Sequence, residues 1–127
     1  HGGAALIVDY GDWRSKGDTL QAIGDHKMAN PLTAPGMTDL TAHIDFEAIF
    51  NGAAPATASR LTTQGVFLER LGITQRAQAL AQKMTGNTLK VHIAAHRRLT
   101  HPDEMGSLFK VMGLAANAAG LPPGLEP

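Results

Sequence analysis

Residues 4–8 form a continuous apolar run, Ala-Ala-Leu-Ile-Val, which is followed at once by Asp9, Tyr10 and Gly11. The run does not alternate with polar residues, which is typical of a strand covered on both faces, as in a parallel α/β sheet. We therefore expect a strand over residues 6–9. Such a strand needs neighbouring strands and covering helices, so this feature constrains the rest of the fold more than any other.

The remaining pattern predicts short strands and amphipathic helices. Alternation or β-branched residues predict strands over 19–23, 39–44, 59–64 and 108–115. Apolar spacings of three and four predict helices over 46–50 (with Asp45 as N-cap), 65–71, 76–84 (with Thr74 as N-cap and a break at Gly86 and Asn87) and 89–99 (burying Leu89, Ile93 and His96). Because these helices come late and are few, they cannot cover both faces of the first strand. The sequence alone predicts an α/β piece with part of its sheet missing.

Composition excludes several classes of function. The chain has 127 residues, which suits one domain, and its 11 basic and 11 acidic side chains balance. The basic residues are scattered, so neither nucleic acid nor an anionic membrane is expected as a partner. Cysteine is absent, which excludes a thiol nucleophile and a cysteine zinc site. No apolar stretch reaches the roughly 20 residues that span a bilayer, and no signal peptide is evident, so we expect a soluble intracellular piece.

Two groups of polar residues are candidates for a site. Asp9 and Tyr10 follow the buried strand directly, and ligands of open α/β sheets bind outside the carboxyl ends of strands. Asp25 and His26 follow the second predicted strand, where a carboxylate beside an imidazole suits acid–base chemistry. The alternatives are structural: Asp9 caps a tight turn at Gly11, and Asp25 and His26 lie in a solvated loop.

His92 and His96 are four residues apart on a predicted helix and share one face. This spacing can hold zinc, but the glutamate of the H-E-x-x-H motif is absent and no third ligand is positioned. We therefore expect no metal site. The chain also lacks a G-x-G-x-x-G loop, a P-loop and a G-x-S-x-G elbow, so its own residues do not complete a catalytic site.

Taken in order, six segments resemble the C-terminal part of the MidA family of class I S-adenosylmethionine-dependent methyltransferases. They are GGAALIVDYG, GDTLQAI, DHK, NPLTAPGMTDLTAHIDFEAI, TTQGVFLERLGITQRA and MGSLFKVMGL, and together they extend from residue 2 to about residue 114. The resemblance implies a Rossmann-like, seven-stranded, mostly parallel α/β sheet with helical insertions. Residues 4–8 would then be its fifth strand, and the strand near Leu108 would belong to the antiparallel edge.

The same resemblance implies that the N-terminal half of the fold, with the Gly-rich S-adenosylmethionine loop, lies upstream and is absent here. We accordingly expect residues 1–116 to be the C-terminal portion of a methyltransferase domain and 117–127 to be a flexible tail. No cofactor-binding residue is expected in this chain, and the isolated chain is expected to be inactive.

The activity implied is methyl transfer from S-adenosylmethionine to a protein arginine, and mitochondrial members of the family are complex I assembly factors. The implied partner is a protein substrate, such as a complex I core subunit, with homo-oligomers allowed and no membrane span. The implied location is the bacterial cytoplasm or the mitochondrial matrix. Asp9 and Tyr10 are the first candidates to line the arginine channel, and Asp25 and His26 the second.

Two rival hypotheses remain open on the sequence. One is a non-catalytic module that binds a respiratory-chain or partner subunit. The other is a small metal-binding domain that uses His92 and His96.

Overall fold

The computed structural model describes residues 2–116 and 119–127, which form a five-stranded sheet, a three-stranded sheet and five helices. The strands are β1 (Ala4–Asp12), β2 (Gln21–Gly24), β3 (Lys27–Ala29), β4 (Asp39–Thr41), β5 (Ile44–Asp45), β6 (Thr57–Ala58), β7 (Thr62–Thr63) and β8 (Phe109–Ala115). The helices are α1 (Phe46–Gly52), α2 (Gln64–Arg70), α3 (Ile73–Ala81), α4 (Gly86–Thr100) and α5 (Met105–Leu108). None of the described helices is long and apolar enough to cross a membrane.

The larger sheet has the order β5-β1-β8-β6, and β7 also pairs with β8. β1 runs antiparallel to β8, from Ala4 opposite Ala115 to Tyr10 opposite Phe109. Its parallel pairing with β5 is limited to Gly11 and Asp12. Among the described residues, therefore, positions 4–10 of β1 have one hydrogen-bonded neighbour, whereas β8 is paired on both sides.

The core of the molecule lies on β8 rather than on β1. Val111 and Met112 in β8 are fully buried, and so is Phe46 in α1. Ser59 is also buried, and its hydroxyl accepts a hydrogen bond from the Gly113 N–H at 2.9 Å. Since a buried hydroxyl without a partner would be costly, this bond lets the chain between β6 and β7 lie directly against the central strand.

The C-terminal segment packs on the same strand. A Cβ atom at Gly113 would come within 2.5 Å of Leu125 Cδ1, so glycine is what allows this close approach. The Arg60 N–H donates to the Glu126 carbonyl at 2.9 Å, and the Arg70 guanidinium lies 3.1 Å from the Glu126 carboxylate. The division into 1–116 and a flexible tail over 117–127 remains a prediction, and residues 117 and 118 lie outside the described part.

The predicted α/β class and the antiparallel closing strand are present, but the strand bounds differ. The first strand extends to Asp12 because Gly11 and Asp12 pair with β5. The predicted strand over 59–64 is wrong. Residues 57–58 and 62–63 each pair with β8, while the Ser59 side chain replaces a ladder hydrogen bond between them, and Gln64 already begins α2.

The helices lie where they were predicted, but several of them begin or end at other residues. Asp45 caps α1 as expected, because its carboxylate accepts from the Ala48 N–H at 2.9 Å. The prediction of Thr74 as an N-cap is wrong: α3 begins at Ile73, and the Thr74 hydroxyl instead donates to the Glu69 carboxylate at 2.6 Å. Gly86 does not break a helix but begins α4.

The predicted burial of Ile93 is also wrong, since 57% of this residue is exposed. Leu89 and His96 are half-buried, and α4 as a whole has no buried residue. α4 contacts α2, α3 and α5 but does not lie on the sheet. Its outer face is therefore open to solvent within the described structure.

Candidate functional site

The carboxyl end of β1 is held in place by a close backbone contact at Gly11. A Cβ atom at this position would overlap the backbone of Ile44 in β5, and the φ of Gly11 is +156°. Only glycine combines this dihedral angle with this approach. The Asp-Tyr-Gly sequence thus fixes where β5, and with it the start of α1, meets the end of β1.

Asp9 and Tyr10 do not share a face of the sheet. In the ladder with β8, Asp9 lies opposite Lys110 and Tyr10 lies opposite Phe109. Successive strand residues point to opposite faces, so the two candidate side chains project to opposite sides of β1. Asp9 is half-buried, and its carboxylate accepts a hydrogen bond from the Tyr10 N–H at 2.8 Å, which is the local contact expected of a turn cap.

The Tyr10 ring lies between two other aromatic rings. Its centroid is 5.8 Å from that of His43 and 5.6 Å from that of Phe109, both in edge-to-face geometry. The His43 N–H also donates to the Thr19 hydroxyl at 3.2 Å. The segment between β4 and β5 thereby places an exposed imidazole beside Tyr10, at the end of the central strand.

His43 was missed as a site residue by sequence reasoning. It lies in the segment DLTAHI, over which the alternation of apolar and polar residues predicts a strand. The signal that could have found it is positional, because this segment must return to the carboxyl end of the first strand if the two pair in parallel.

A polar cluster anchors the loop that follows β1. The Arg14 guanidinium contacts both carboxylate oxygens of Glu47, at 2.6 and 2.7 Å, and the Trp13 indole N–H donates to the same carboxylate at 3.2 Å. The Trp13 ring also packs edge-to-face on Phe50 at 5.5 Å. The hydrogen bond from Arg14 lowers the pKa of Glu47, and the same bond raises the pKa of Arg14. This bidentate pair joins the loop to α1.

Asp25 and His26 lie elsewhere, at the turn between β2 and β3. Both have positive φ, 50° and 61°, and both are exposed. Two consecutive positive φ angles are typical of a type I′ hairpin turn, which gives these residues a structural role. No described hydrogen bond or aromatic contact joins them to Asp9 or Tyr10.

His92 and His96 face the inside of the α3–α4 pair. His92 Nε2 lies 3.0 Å from the Ala77 carbonyl oxygen, so it donates a proton there. Because the Thr74 hydroxyl donates to Glu69, its oxygen accepts from His96 Nε2 at 3.0 Å. Both Nε2 atoms therefore carry hydrogen, and no group of three or more potential metal ligands occurs among the described residues.

Comparisons of sequence and fold with known proteins point to one family. Residues 1–66, just over half of the chain, match a family model described as "Putative S-adenosyl-L-methionine-dependent methyltransferase". The mitochondrial protein arginine methyltransferase NDUFAF7 of Xenopus laevis is 39% identical over 121 residues, which cover 93% of this chain and 28% of that protein. The human protein of the same name is 36% identical over 115 residues, covering 89% and 26%.

A solved structure has the same fold. The chain superposes on a COG1565 superfamily member from Burkholderia thailandensis, bound to S-adenosyl-homocysteine, with a TM-score of 0.74 and 31% identity. The match covers 92% of this chain and 33% of that one. The chain thus spans about a quarter of the length of the curated relatives it matches. The resemblance and the partial Rossmann-like α/β class predicted from the sequence are confirmed, and the chain belongs to this family of S-adenosylmethionine-dependent methyltransferases.

Proposed function

We propose that this chain is the acceptor side of an S-adenosylmethionine-dependent protein arginine methyltransferase. The observation that carries the proposal is the identity of 39% over 93% of the chain to a protein named for that activity. The comparisons do not favour the non-catalytic binding module, because the relatives are named as enzymes. The division into a methyltransferase portion over 1–116 and a tail over 117–127 belongs to the same proposal.

The geometry supports a division of roles between the two faces of β1. A guanidinium group needs anionic or polar acceptors to hold its N–H groups in line with the incoming methyl group. The Asp9 carboxylate supplies a charged acceptor on one face, and Tyr10 with His43 supplies a phenol and an imidazole on the other. In the proposed enzyme Asp9 orients the arginine, and Tyr10 and His43 shape the entrance. Asp25 and His26 are kept as secondary candidates, on the hairpin of the smaller sheet.

The described residues do not themselves fit the methyl donor. A cradle for S-adenosylmethionine needs a Gly-rich turn between a strand and a helix, so that backbone amides can approach the ligand. After β1 comes a polar loop, and α1 begins instead at the carboxylate of Asp45. When bound in the whole enzyme, S-adenosylmethionine supplies the methyl group, while the residues of this chain bind and orient the acceptor.

The proposed acceptor is a protein. On the resemblance to the family, it is a core subunit of respiratory complex I. The named relatives are mitochondrial, which supports the mitochondrial matrix as the location, and the bacterial cytoplasm remains the alternative. A homo-oligomer is compatible with the open edge of β1.

The test is methyl transfer by the full-length gene product. Radiolabelled S-adenosylmethionine and an arginine-containing protein substrate are incubated with the protein, and the product is hydrolysed to identify methylated arginine. Asp9→Asn keeps the volume but removes the charge, and we expect it to lower kcat/KM at least about tenfold, since it removes a preorganised acceptor. Tyr10→Phe and His43→Ala are expected to change KM more than kcat.

The matched control is Asp18→Asn. Asp18 is an exposed carboxylate whose only described contact is with the nearby Leu20 N–H, at 3.0 Å. The Asp18→Asn substitution should leave turnover unchanged. Full activity of the Asp9→Asn variant would mean that Asp9 acts only as a turn cap. If the unmodified protein produced no methylated arginine in the substrate, the proposed function would be overturned.

A further inference from the structure

The helical pair α3–α4 carries an unusual distribution of charge for a chain that is neutral overall. Between Glu69 and Asp103 the sequence has no acidic residue. The same stretch contains six basic residues: Arg70, Arg76, Lys83, Lys90, Arg97 and Arg98. Two of them are neutralised, because Arg70 pairs with Glu126 and Arg97 pairs with Glu104.

The other four basic residues are exposed, and none of them forms a salt bridge within the described part of the chain. They are Arg76, Lys83, Lys90 and Arg98. Arg76 lies in α3, Lys90 and Arg98 lie in α4, and Lys83 lies in the connection between the two helices. Four exposed positive charges in this region create a local positive potential, although the net charge of the chain is zero.

An apolar groove runs between the same two helices. It has a volume of about 240 Å³. Its lining consists of Ile73, Ala77, Leu80, Ala95 and Leu99, together with Arg76 and the side chains of His92 and His96. On α4, Val91, Ala95 and Leu99 follow one another at spacings of four. Ala95 and Leu99 line the groove, and Val91 continues the stripe beyond it. Val91 is 59% exposed, Leu99 is 37% exposed, and Leu80 on the facing helix is 41% exposed.

The groove has the composition of a helix-binding surface. An amphipathic helix laid into a groove presents apolar residues at spacings of three and four, and charges at its margins complement those of the receptor. Here Arg76 lines the groove from α3. Arg98 lies outside the groove lining, next to Val91 in helical projection, and lines a separate cavity with Asp103 and Glu104. We propose that the α3–α4 groove binds an acidic amphipathic helix of a partner protein.

A membrane surface fits these observations less well. Helices that lie in lipid interfaces insert an apolar face that contains Trp and Phe as well as Leu. Residues 70–102 contain no Phe, Tyr or Trp, and the apolar residues line a concave groove between two helices. Nucleic acid would not require the apolar stripe, because phosphate contacts alone carry most of its affinity.

The experiment uses the full-length gene product and defined probes. The first probe is a fluorescein-labelled amphipathic peptide of roughly 18 residues with Leu at helical spacing and Glu at its flanks. The second has the same Leu pattern with Lys in place of Glu. The third is a phosphatidylcholine vesicle containing a quarter phosphatidylglycerol. Fluorescence anisotropy measures binding of the peptides, and co-sedimentation measures binding of the vesicles.

We expect the acidic peptide to bind and the basic peptide and vesicles not to bind. The double variant Arg76→Glu/Arg98→Glu should bind the acidic peptide at least about tenfold more weakly than the unmodified protein. Added salt should reduce this difference in affinity, because salt screens exposed charges. Leu80→Ser should weaken binding of the acidic peptide several-fold at every salt concentration. Lys27→Glu and Leu32→Ser are the matched controls, because both residues are exposed and lie outside α3 and α4.

Three results would overturn the proposal. They are equal binding of the Glu and Lys peptides, absence of binding by the acidic peptide, and vesicle binding that is lost in the charge-reversal variant. The last result would assign the surface to anionic lipid instead. Circular dichroism of each variant, compared with the unmodified protein, shows that the folded state is retained.

Discussion

β1 and β8 lie side by side and are both rich in apolar residues, yet they differ sharply in burial. In β8, Val111 and Met112 are fully buried, whereas in β1, Leu6 is 46% and Val8 is 42% exposed. β8 has strands on both sides and also packs against α2 and α5. β1 has β8 on one side and only a two-residue pairing with β5 on the other. The apolar sequence of a strand thus indicates that the strand needs covering neighbours. The burial of its side chains shows whether the described residues provide that cover.

Truncation of one side chain on each strand tests the difference in burial between β8 and β1. Met112→Ala should lower the free energy of unfolding by about 2–5 kcal/mol, because it leaves a cavity in a filled core. Leu6→Ala should cost only about 1 kcal/mol, since a half-exposed side chain has gained about half of its transfer free energy. Urea unfolding followed by circular dichroism measures both. Equal losses would mean that β1 is covered in solution.

A substitution at Val8 tests whether β1 is an open edge of the sheet. An apolar edge strand with unpaired amides favours pairing with another chain, so we expect this chain alone to self-associate. Val8→Lys should increase the monomer fraction in analytical ultracentrifugation while changing the free energy of unfolding by less than about 0.5 kcal/mol. Lys27→Glu, on the smaller sheet, is the control. An unmodified chain that remains monomeric would refute the expectation.

The ion pair between Arg14 and Glu47, which joins the loop after β1 to α1, should make stability depend slightly on pH. The pKa of Glu47 is lowered in the folded state by its hydrogen bond to Arg14. The contribution of this pair to stability is therefore present above the ordinary pKa of glutamate and is lost as the pH falls through the lowered value. Glu47→Gln should remove this acid-side loss. The measurement is the melting temperature against pH, and identical profiles for the two proteins would contradict the assignment.

The sequence was sufficient for the elements whose local signals agree with the fold. The cap at Asp45 and the closing strand over 109–115 have the expected structure. The apolar run before Asp9 forms the expected strand, but it pairs antiparallel with β8 and is not covered on both faces by the described residues. Local patterns failed where a tertiary contact replaced a local one. Ser59 interrupts a predicted strand because its hydroxyl bonds β8, and Thr74 leaves its predicted cap because its hydroxyl bonds Glu69.

The candidate site was less predictable than the fold. The sequence selected Asp9 and Tyr10 as neighbours, but strand geometry sends their side chains to opposite faces. His43 is 33 residues from Tyr10 in the chain, and only the return of the chain at β5 brings the two rings together. The groove between α3 and α4 was not predicted, because α4 was expected to be a covered helix, whereas Ile93 is 57% and Leu99 is 37% exposed.

Titration of S-adenosyl-homocysteine, followed by calorimetry, tests most directly whether this chain carries only the acceptor side of the enzyme. Two proteins are compared: the isolated chain, and a chimera in which the chain replaces the matching segment of the Burkholderia thailandensis relative. We predict one-to-one binding by the chimera and none by the isolated chain. Stoichiometric binding by the isolated chain would contradict the account, because the donor site would then lie within these 127 residues.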